Sequence, residues 1–222
     1  MIWLQVALLA GVIGLDSTAF PQVMISRPIV AGALTGLLFG RPAEGVMLGA
    51  LLEVFHLATL PIGAARYPEA GTANVSGVAA YMFATPALDV PALFLAGVFA
   101  LAWERIAGGS VVVLRRANER LIVDAAAVAD PARLIERNHL LALVLDFLRG
   151  AIVTTVGALA GAALLLAFAP FWSLPESVVR SAIAVATTTL LAAALSVFGG
   201  WQERKRIFLL GLLCGTLLSL IA

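Results

Sequence analysis

The stretch GAIVTTVGALAGAALLLAFAPFWSLP, residues 150–175, holds 26 consecutive uncharged residues. A helix needs about 20 largely apolar residues to cross roughly 30 Å of hydrocarbon. This run therefore reads as a bilayer span, and the uncharged runs 181–202 and 207–222 follow the same template. The whole chain agrees: of 222 residues, 62% are hydrophobic and 12% charged, against roughly 25% charged in a soluble domain. Folding buries only about 70–75% of the surface an unfolded chain of this length exposes, so a compact soluble globule could not hide this much apolar surface. A soluble enzyme, a disordered regulator and a nucleic-acid binder are excluded on these grounds. The net charge of +1 also gives no field to attract nucleic acid. The single cysteine, Cys214, leaves no intrachain disulfide and no thiolate metal cage. Residues Met1–Gly14 have no basic stretch ahead of their apolar run, and read as a first membrane segment in place of a cleaved signal peptide.

The first half is built differently. Its uncharged runs, 1–15, 28–40, 54–65, 70–88 and 90–103, are mostly too short to span, and Asp16, Arg27, Arg41, Glu44, Glu53, Arg66 and Glu69 interrupt them. Short apolar segments broken by Gly and Pro point to discontinuous or re-entrant helices around a site. The expectation is one all-α polytopic membrane domain over residues 1–222 with about eight hydrophobic segments. Broken, pocket-forming helices would occupy 1–108, a polar loop and amphipathic helix 109–139, and long spanning helices 140–222.

Residues 115–139 carry nine charges, and Asp130-Pro131 supplies a helix start: an Asp cap with Pro at the first helical position. Arg115, Arg116, Arg120, Arg133 and Arg137 place this loop on the cytoplasmic side by the positive-inside rule, which puts the N-terminus outside. Gly32, Gly36 and Gly40, Gly45 with Gly49, and Gly157 with Gly161 recur every four residues. That interval lets helices approach closely, and tight internal packing is favoured over a dimer face.

Ionisable residues in membrane segments are costly and mark candidate sites. Glu53 lies in a run of eight uncharged residues before it and twelve after it. A carboxylate there can accept sugar hydroxyls, bind a proton, or pair with Arg27 or Arg66. His56 shares its helical face three residues on, and either lines a pocket or fills an interhelical gap. A Glu-x-x-His pair is half of a di-iron motif, but a second copy and further carboxylates are missing, so no metal and no cofactor is expected. Neither Gly-x-Ser-x-Gly nor His-Glu-x-x-His occurs, and no catalytic residue is assigned. Asp16, Gln22 and Arg27 decorate a loop after the first helix that is either a pocket lip or an ordinary interfacial loop. Asn74 opens a segment after the turn-rich stretch 61–72, which suits a broken-helix tip or a plain turn.

The series Asp16, Gln22-x-x-x-Ser26-Arg27-Pro28, Gly49-Ala-Leu-Leu-Glu53 and Leu60-Pro61-Ile62-Gly63-Ala64-Ala65 resembles subunit IIC of the mannose/fructose/sorbose family of the bacterial phosphotransferase system. The similarity is strongest over residues 14–80. It implies a multi-pass subunit of the bacterial inner membrane that forms a sugar channel with subunit IID. A phosphohistidine on soluble IIB, itself fed by IIA, would phosphorylate the sugar, and IIC alone would be no enzyme. Carried over by position, Asp16, Gln22 and Glu53 become sugar contacts, and Arg27, Pro61, Gly63, Arg66 and Glu69 support the pocket. His56 and Asn74 are added on physical grounds. The chain departs from the family at Tyr67-Pro68-Glu69, where Pro-Pro-Asp is usual, at His56, where an aromatic or aliphatic residue is common, and in its shorter length. The resemblance implies an oligomer in the bilayer with no nucleic-acid partner. A non-transporting scaffold or sensor that recruits phosphocarrier proteins through residues 115–139 is the competing reading. A proton-coupled transporter using Glu53 is disfavoured because no second half-repeat is found.

Overall fold

The computed structural model describes residues 1–57, 68–86, 89–122 and 130–197, together with 199, 205, 206, 209, 210 and 213. Seven α-helices lie among the described residues: α1 Ile2–Thr18, α2 Pro28–Leu38, α3 Pro42–His56, α4 Ala70–Ala84, α5 Val90–Asn118, α6 Pro131–Phe168 and α7 Glu176–Val197. Described residues in strands are absent, as expected of an all-α membrane protein. Three segments are long and apolar enough to cross a membrane: Val90–Leu121, Pro131–Phe171 and Glu176–Val197. With a 1.5 Å rise per residue, the 11 residues of α2 reach only about 16 Å and the 15 of α3 about 22 Å. Neither crosses the hydrocarbon alone.

Local sequence explains the boundaries. Pro28, Pro42, Pro91 and Pro131 occupy the first helical turns, where the missing N–H costs nothing. Asp89 and Asp130 accept the backbone N–H of Ala92 and Arg133 at 3.0 and 3.2 Å, so the Asp130-Pro131 start is present as read from sequence. Much of the described part of the polar stretch 109–139 is helical. Helix α5 continues to Asn118, and α6 runs unbroken from Pro131 for 38 residues. The 54–65 run also differs from expectation, because α3 extends from Pro42 through Glu44 and Glu53 to His56. Ion pairing lets the helix carry both acids.

Helix α4 lies at the centre. Every residue from Gly71 to Met82 is buried, and its sequence GTANVSGVAA is small enough to let neighbours close in. On one side Val6, Ala10 and Ile13 of α1, Ala31 of α2 and Ala158 of α6 pack on Val75 and Ala79. On the other, Leu48 and Leu52 of α3, Leu93, Ala96 and Ala100 of α5 and Leu165 of α6 pack on Val78, Tyr81 and Met82. Helices α2 and α3 form a hairpin joined backbone to backbone: a Cβ on Gly36 would meet the Gly45 Cα at 3.0 Å, and one on Gly32 the Gly49 Cα at 2.9 Å. Gly40, at φ +69°, turns the chain between them. Gly161 faces Ala80 and Phe99, and Gly157 faces Trp103 and Ser76. The glycine series therefore serves internal packing.

Candidate functional site

The loop between α1 and α2 gathers most of the polar residues singled out above. Asp16, buried in the last turn of α1, accepts the backbone N–H of Val23 at 2.7 Å and of Ser26 at 2.8 Å. These two bonds hold a loop in which Gln22 (φ 59°) and Met24 (φ 68°) both take the left-handed conformation. Such residues cost of order 1–3 kcal/mol each and persist where surrounding contacts over-determine them. Gln22 is exposed on the loop's surface. Arg27, at the loop's end, pairs with Glu53 of α3. The second Glu53 oxygen accepts the Ile29 N–H at 3.3 Å, so a carboxylate sits at the positive end of α2. Both partners stay partly open, with 15% of the Glu53 and 34% of the Arg27 side chain exposed.

Asn74 completes this cluster from α4. Its amide Nδ2 donates to the Pro28 carbonyl, which fixes which way the amide points. Its Oδ1 is buried and has no hydrogen-bond partner among the described residues, although Asn74 is only 1% exposed. A buried acceptor left empty costs about 1–3 kcal/mol. The arrangement therefore offers an acceptor with an open lone pair, next to a carboxylate with spare acceptor capacity and a partly exposed guanidinium.

His56 lies one helical turn from Glu53 but is engaged elsewhere. Its Nδ1 donates to the Leu52 carbonyl at 2.8 Å, which turns Nε2 toward Glu104 of α5 at 3.1 Å. Both side chains are buried. The gap-filling reading of His56 describes this geometry, and Glu104, which sequence runs treated as a boundary, is its partner. Replacing His56 by Phe strands the Glu104 carboxyl and is expected to lower unfolding free energy by about 1–3 kcal/mol. Adding Glu104→Leu should restore most of it, read as the thermal midpoint of the detergent-solubilised protein. A double variant no more stable than His56→Phe would contradict the pairing.

A third cluster joins α1, α4 and α6. Arg149 lies in α6 with Nε 2.8 Å from Asp146, Nη1 3.7 Å from Glu69, and Nη2 donating to the Gly14 carbonyl at 3.4 Å. Thr18 donates to Asp146. Glu69 caps α4 by accepting Thr72 N–H at 3.2 Å and the Thr72 hydroxyl. All three charged residues are buried. At the opposite end of the hairpin, Arg41 pairs with Glu44 and donates to the Thr85 carbonyl, and the Tyr81 hydroxyl donates to Glu44 at 2.7 Å. That group ties the α2–α3 turn to the end of α4 with every partner satisfied.

Of the predicted sugar contacts, Asp16, Glu53 and Asn74 meet with Arg27 around residues 23–29. Gln22 lies on the same loop, and His56 is turned to Glu104. Pro61, Gly63 and Arg66 lie outside the described residues. Glu69 belongs to the Arg149 cluster. Asp146 and Arg149 escaped the reading of uncharged runs because that reading counted the span from residue 150. An Asp and an Arg three apart inside LLALVLDFLRGAIV, one turn on one helix face, were the available signal. Among the described residues no group of three or more His, Cys, Asp or Glu is placed to hold a metal ion.

A family profile described as "PTS system sorbose-specific iic component" matches residues 1–197. Over 65 residues the chain is 34% identical to the "PTS system sorbose-specific EIIC component" of Lacticaseibacillus casei, a stretch that takes in 29% of this chain and 23% of that relative. The match thus spans under a quarter of the curated relative's length. Two solved structures share the fold over 99% of this chain at 19% identity. One, described as a membrane protein, superposes with a TM-score of 0.73 over 94% of its own length. The other is a chain from the cryoEM structure of the mannose transporter ManYZ with microcin E492 (MceA), with a TM-score of 0.61 over 93% of its length.

Proposed function

We propose that this chain, which belongs to the sorbose-specific IIC component family of the phosphotransferase system, binds its sugar at the cluster formed by Asn74, Glu53 and the α1–α2 loop. The observation that carries this reading is the buried Asn74 Oδ1, unpartnered among the described residues, on a side chain whose amide is bonded to the carbonyl of Pro28, the residue after Arg27. A sugar hydroxyl can donate to Oδ1, and adjacent hydroxyls can bridge Glu53 and Arg27, a pattern of convergent polar groups in an apolar setting. Gln22 extends the same edge. Asp16 acts through the backbone, holding the loop that presents these groups. Sugar crosses the membrane with a IID partner, and a phosphohistidine on IIB phosphorylates it at the cytoplasmic face. Residues 109–139 face the cytoplasm and the N-terminus lies outside.

The test is uptake in a bacterial strain lacking its own hexose phosphotransferase permeases, carrying this chain with a IID subunit and soluble IIA/IIB. Accumulation of labelled mannose, fructose, sorbose or N-acetylgalactosamine is the expected result. Asn74→Leu, which keeps volume and removes both polar atoms, should cut the rate by about tenfold or more, the scale of one buried hydrogen bond. A complex that assembles and binds IIB but takes up no sugar would favour the scaffold reading instead.

A further inference from the structure

Helix α5 carries a groove of about 400 Å³ lined by Pro68, Arg105, Gly108, Gly109, Val112, Val113 and Arg116. The α5 positions fall at i, i+3/i+4, i+7/i+8 and i+11, one continuous stripe of a helix. Gly108 and Gly109 form its floor. Internal packing does not require the second glycine, since a Cβ on Gly109 would meet nothing within 4 Å. A glycine inside a helix costs roughly 0.5–1 kcal/mol relative to Ala, so the open floor is retained against helix propensity. Arg105 and Arg116 are exposed, and neither pairs with an acid among the described residues.

The position of the groove along the helix identifies what fits it. Counting about 20 residues from Val90 for the hydrocarbon thickness brings the membrane edge to about residue 109. Arg105 then lies just below that edge and Arg116 just above it. Arg105 and Arg116 border one groove, and long Arg side chains reach toward the headgroup level, which brings two cations to the rim of one opening. Ile106, below that edge, is 55% exposed and offers an apolar surface to an acyl chain.

We infer that this groove is a binding site for an anionic phospholipid, its phosphate held at the rim by Arg105 and Arg116 and an acyl chain running along the apolar surface of α5 toward Ile106. The site is separate from the sugar cluster and stands whether or not that reading holds. Two basic groups at the headgroup level favour an anionic over a zwitterionic lipid.

The experiment is native mass spectrometry of the full chain, with its co-purifying subunits, released from detergent containing equal phosphatidylglycerol and phosphatidylcholine. The wild type is expected to retain phosphatidylglycerol with about tenfold preference. R105Q/R116Q should lose that preference, and Gly109→Leu, which fills the floor and keeps both charges, should lose it too. Gly109→Ala, with open space around it, should keep the fold and serves as the stability control. Equal retention of both lipids by the wild type, or a preference unchanged in both variants, overturns the proposal. So does displacement of the lipid by millimolar glycerol phosphate, which would mark a free-phosphate site. Loss of soluble-phosphocarrier binding in R105Q/R116Q without change in lipid would likewise assign the arginines to protein docking and overturn it.

Discussion

Arg149→Leu is expected to lower the unfolding free energy by about 3–5 kcal/mol, because it removes the single cation shared by two buried carboxylates. Asp146 contacts Arg149 Nε at 2.8 Å and Glu69 contacts Nη1 at 3.7 Å, and both acids are buried. Without the guanidinium each carboxyl must lose its charge or draw water into the packing of α1, α4 and α6. Two features of the site sharpen the expectation. Arg149→Lys keeps the charge but not the fork that reaches Asp146, Glu69 and the Gly14 carbonyl together, so it should recover only part of the stability. Asp146→Asn added to Arg149→Leu should also recover part, since one stranded acid is removed. The two effects are then non-additive, as expected for groups in one network. Thermal unfolding in detergent, followed by loss of monodisperse protein on size exclusion, measures these three variants and Asp146→Asn alone. A full additive loss in the double variant would show that Asp146 and Arg149 do not depend on each other.

Gly45→Leu is expected to have the second largest effect, at or above the upper end of the roughly 1–3 kcal/mol typical of overpacking. The atoms that a side chain at Gly45 would meet are backbone: the Gly32 carbonyl oxygen, the Gly36 Cα at 2.8 Å and the Gly36 N at 3.0 Å. No rotamer change can relieve such a clash, so α2 must move away from α3. The start of α2 carries Pro28 and Ile29, which contact Asn74 and Glu53. Separating the hairpin therefore disrupts the sugar cluster at the same time. Sugar binding should be lost while the far-ultraviolet circular dichroism of the remaining helices is kept. Gly45→Ala should show a smaller loss of the same kind. A Gly45→Leu protein with wild-type stability and binding would refute the close α2–α3 contact.

The parts of the fold that sequence reading reached and missed differ by a physical rule. Uncharged length pointed to α6 and α7, because a span in hydrocarbon must be largely apolar, but not to the start of α6, which runs from Pro131 through Asp146 and Arg149. The Asp130-Pro131 start was equally readable, since capping is a local interaction. In the first half the same rule misplaced boundaries, because charge there is neutralised across the chain. Glu44 and Glu53 sit inside α3 as partners of Arg41 and Arg27, so they do not end a helix. Glu104 sits inside α5 as the partner of His56. These partners lie 3 to 48 residues apart in sequence, and spacing within one run carries no trace of the distant ones. Asp16 was identified as polar and important, but its work on the Val23 and Ser26 amides depends on a loop shape that composition does not encode. Asn74 was readable as a polar residue in an apolar segment, whereas its open Oδ1 emerges only once Pro28 is placed against its amide.

Equilibrium binding tests most directly whether sugar is held at Asn74 and Glu53. Purified complex, wild type and with Asn74→Leu or Glu53→Gln, would be titrated with labelled mannose, fructose, sorbose and N-acetylgalactosamine. His56→Phe/Glu104→Leu, between α3 and α5, provides a control that leaves the proposed contacts in place. Saturable binding of at least one of these sugars is expected, weakened about tenfold or more in each single variant and kept in the control. Saturable binding with unchanged affinity in both Asn74→Leu and Glu53→Gln would contradict it.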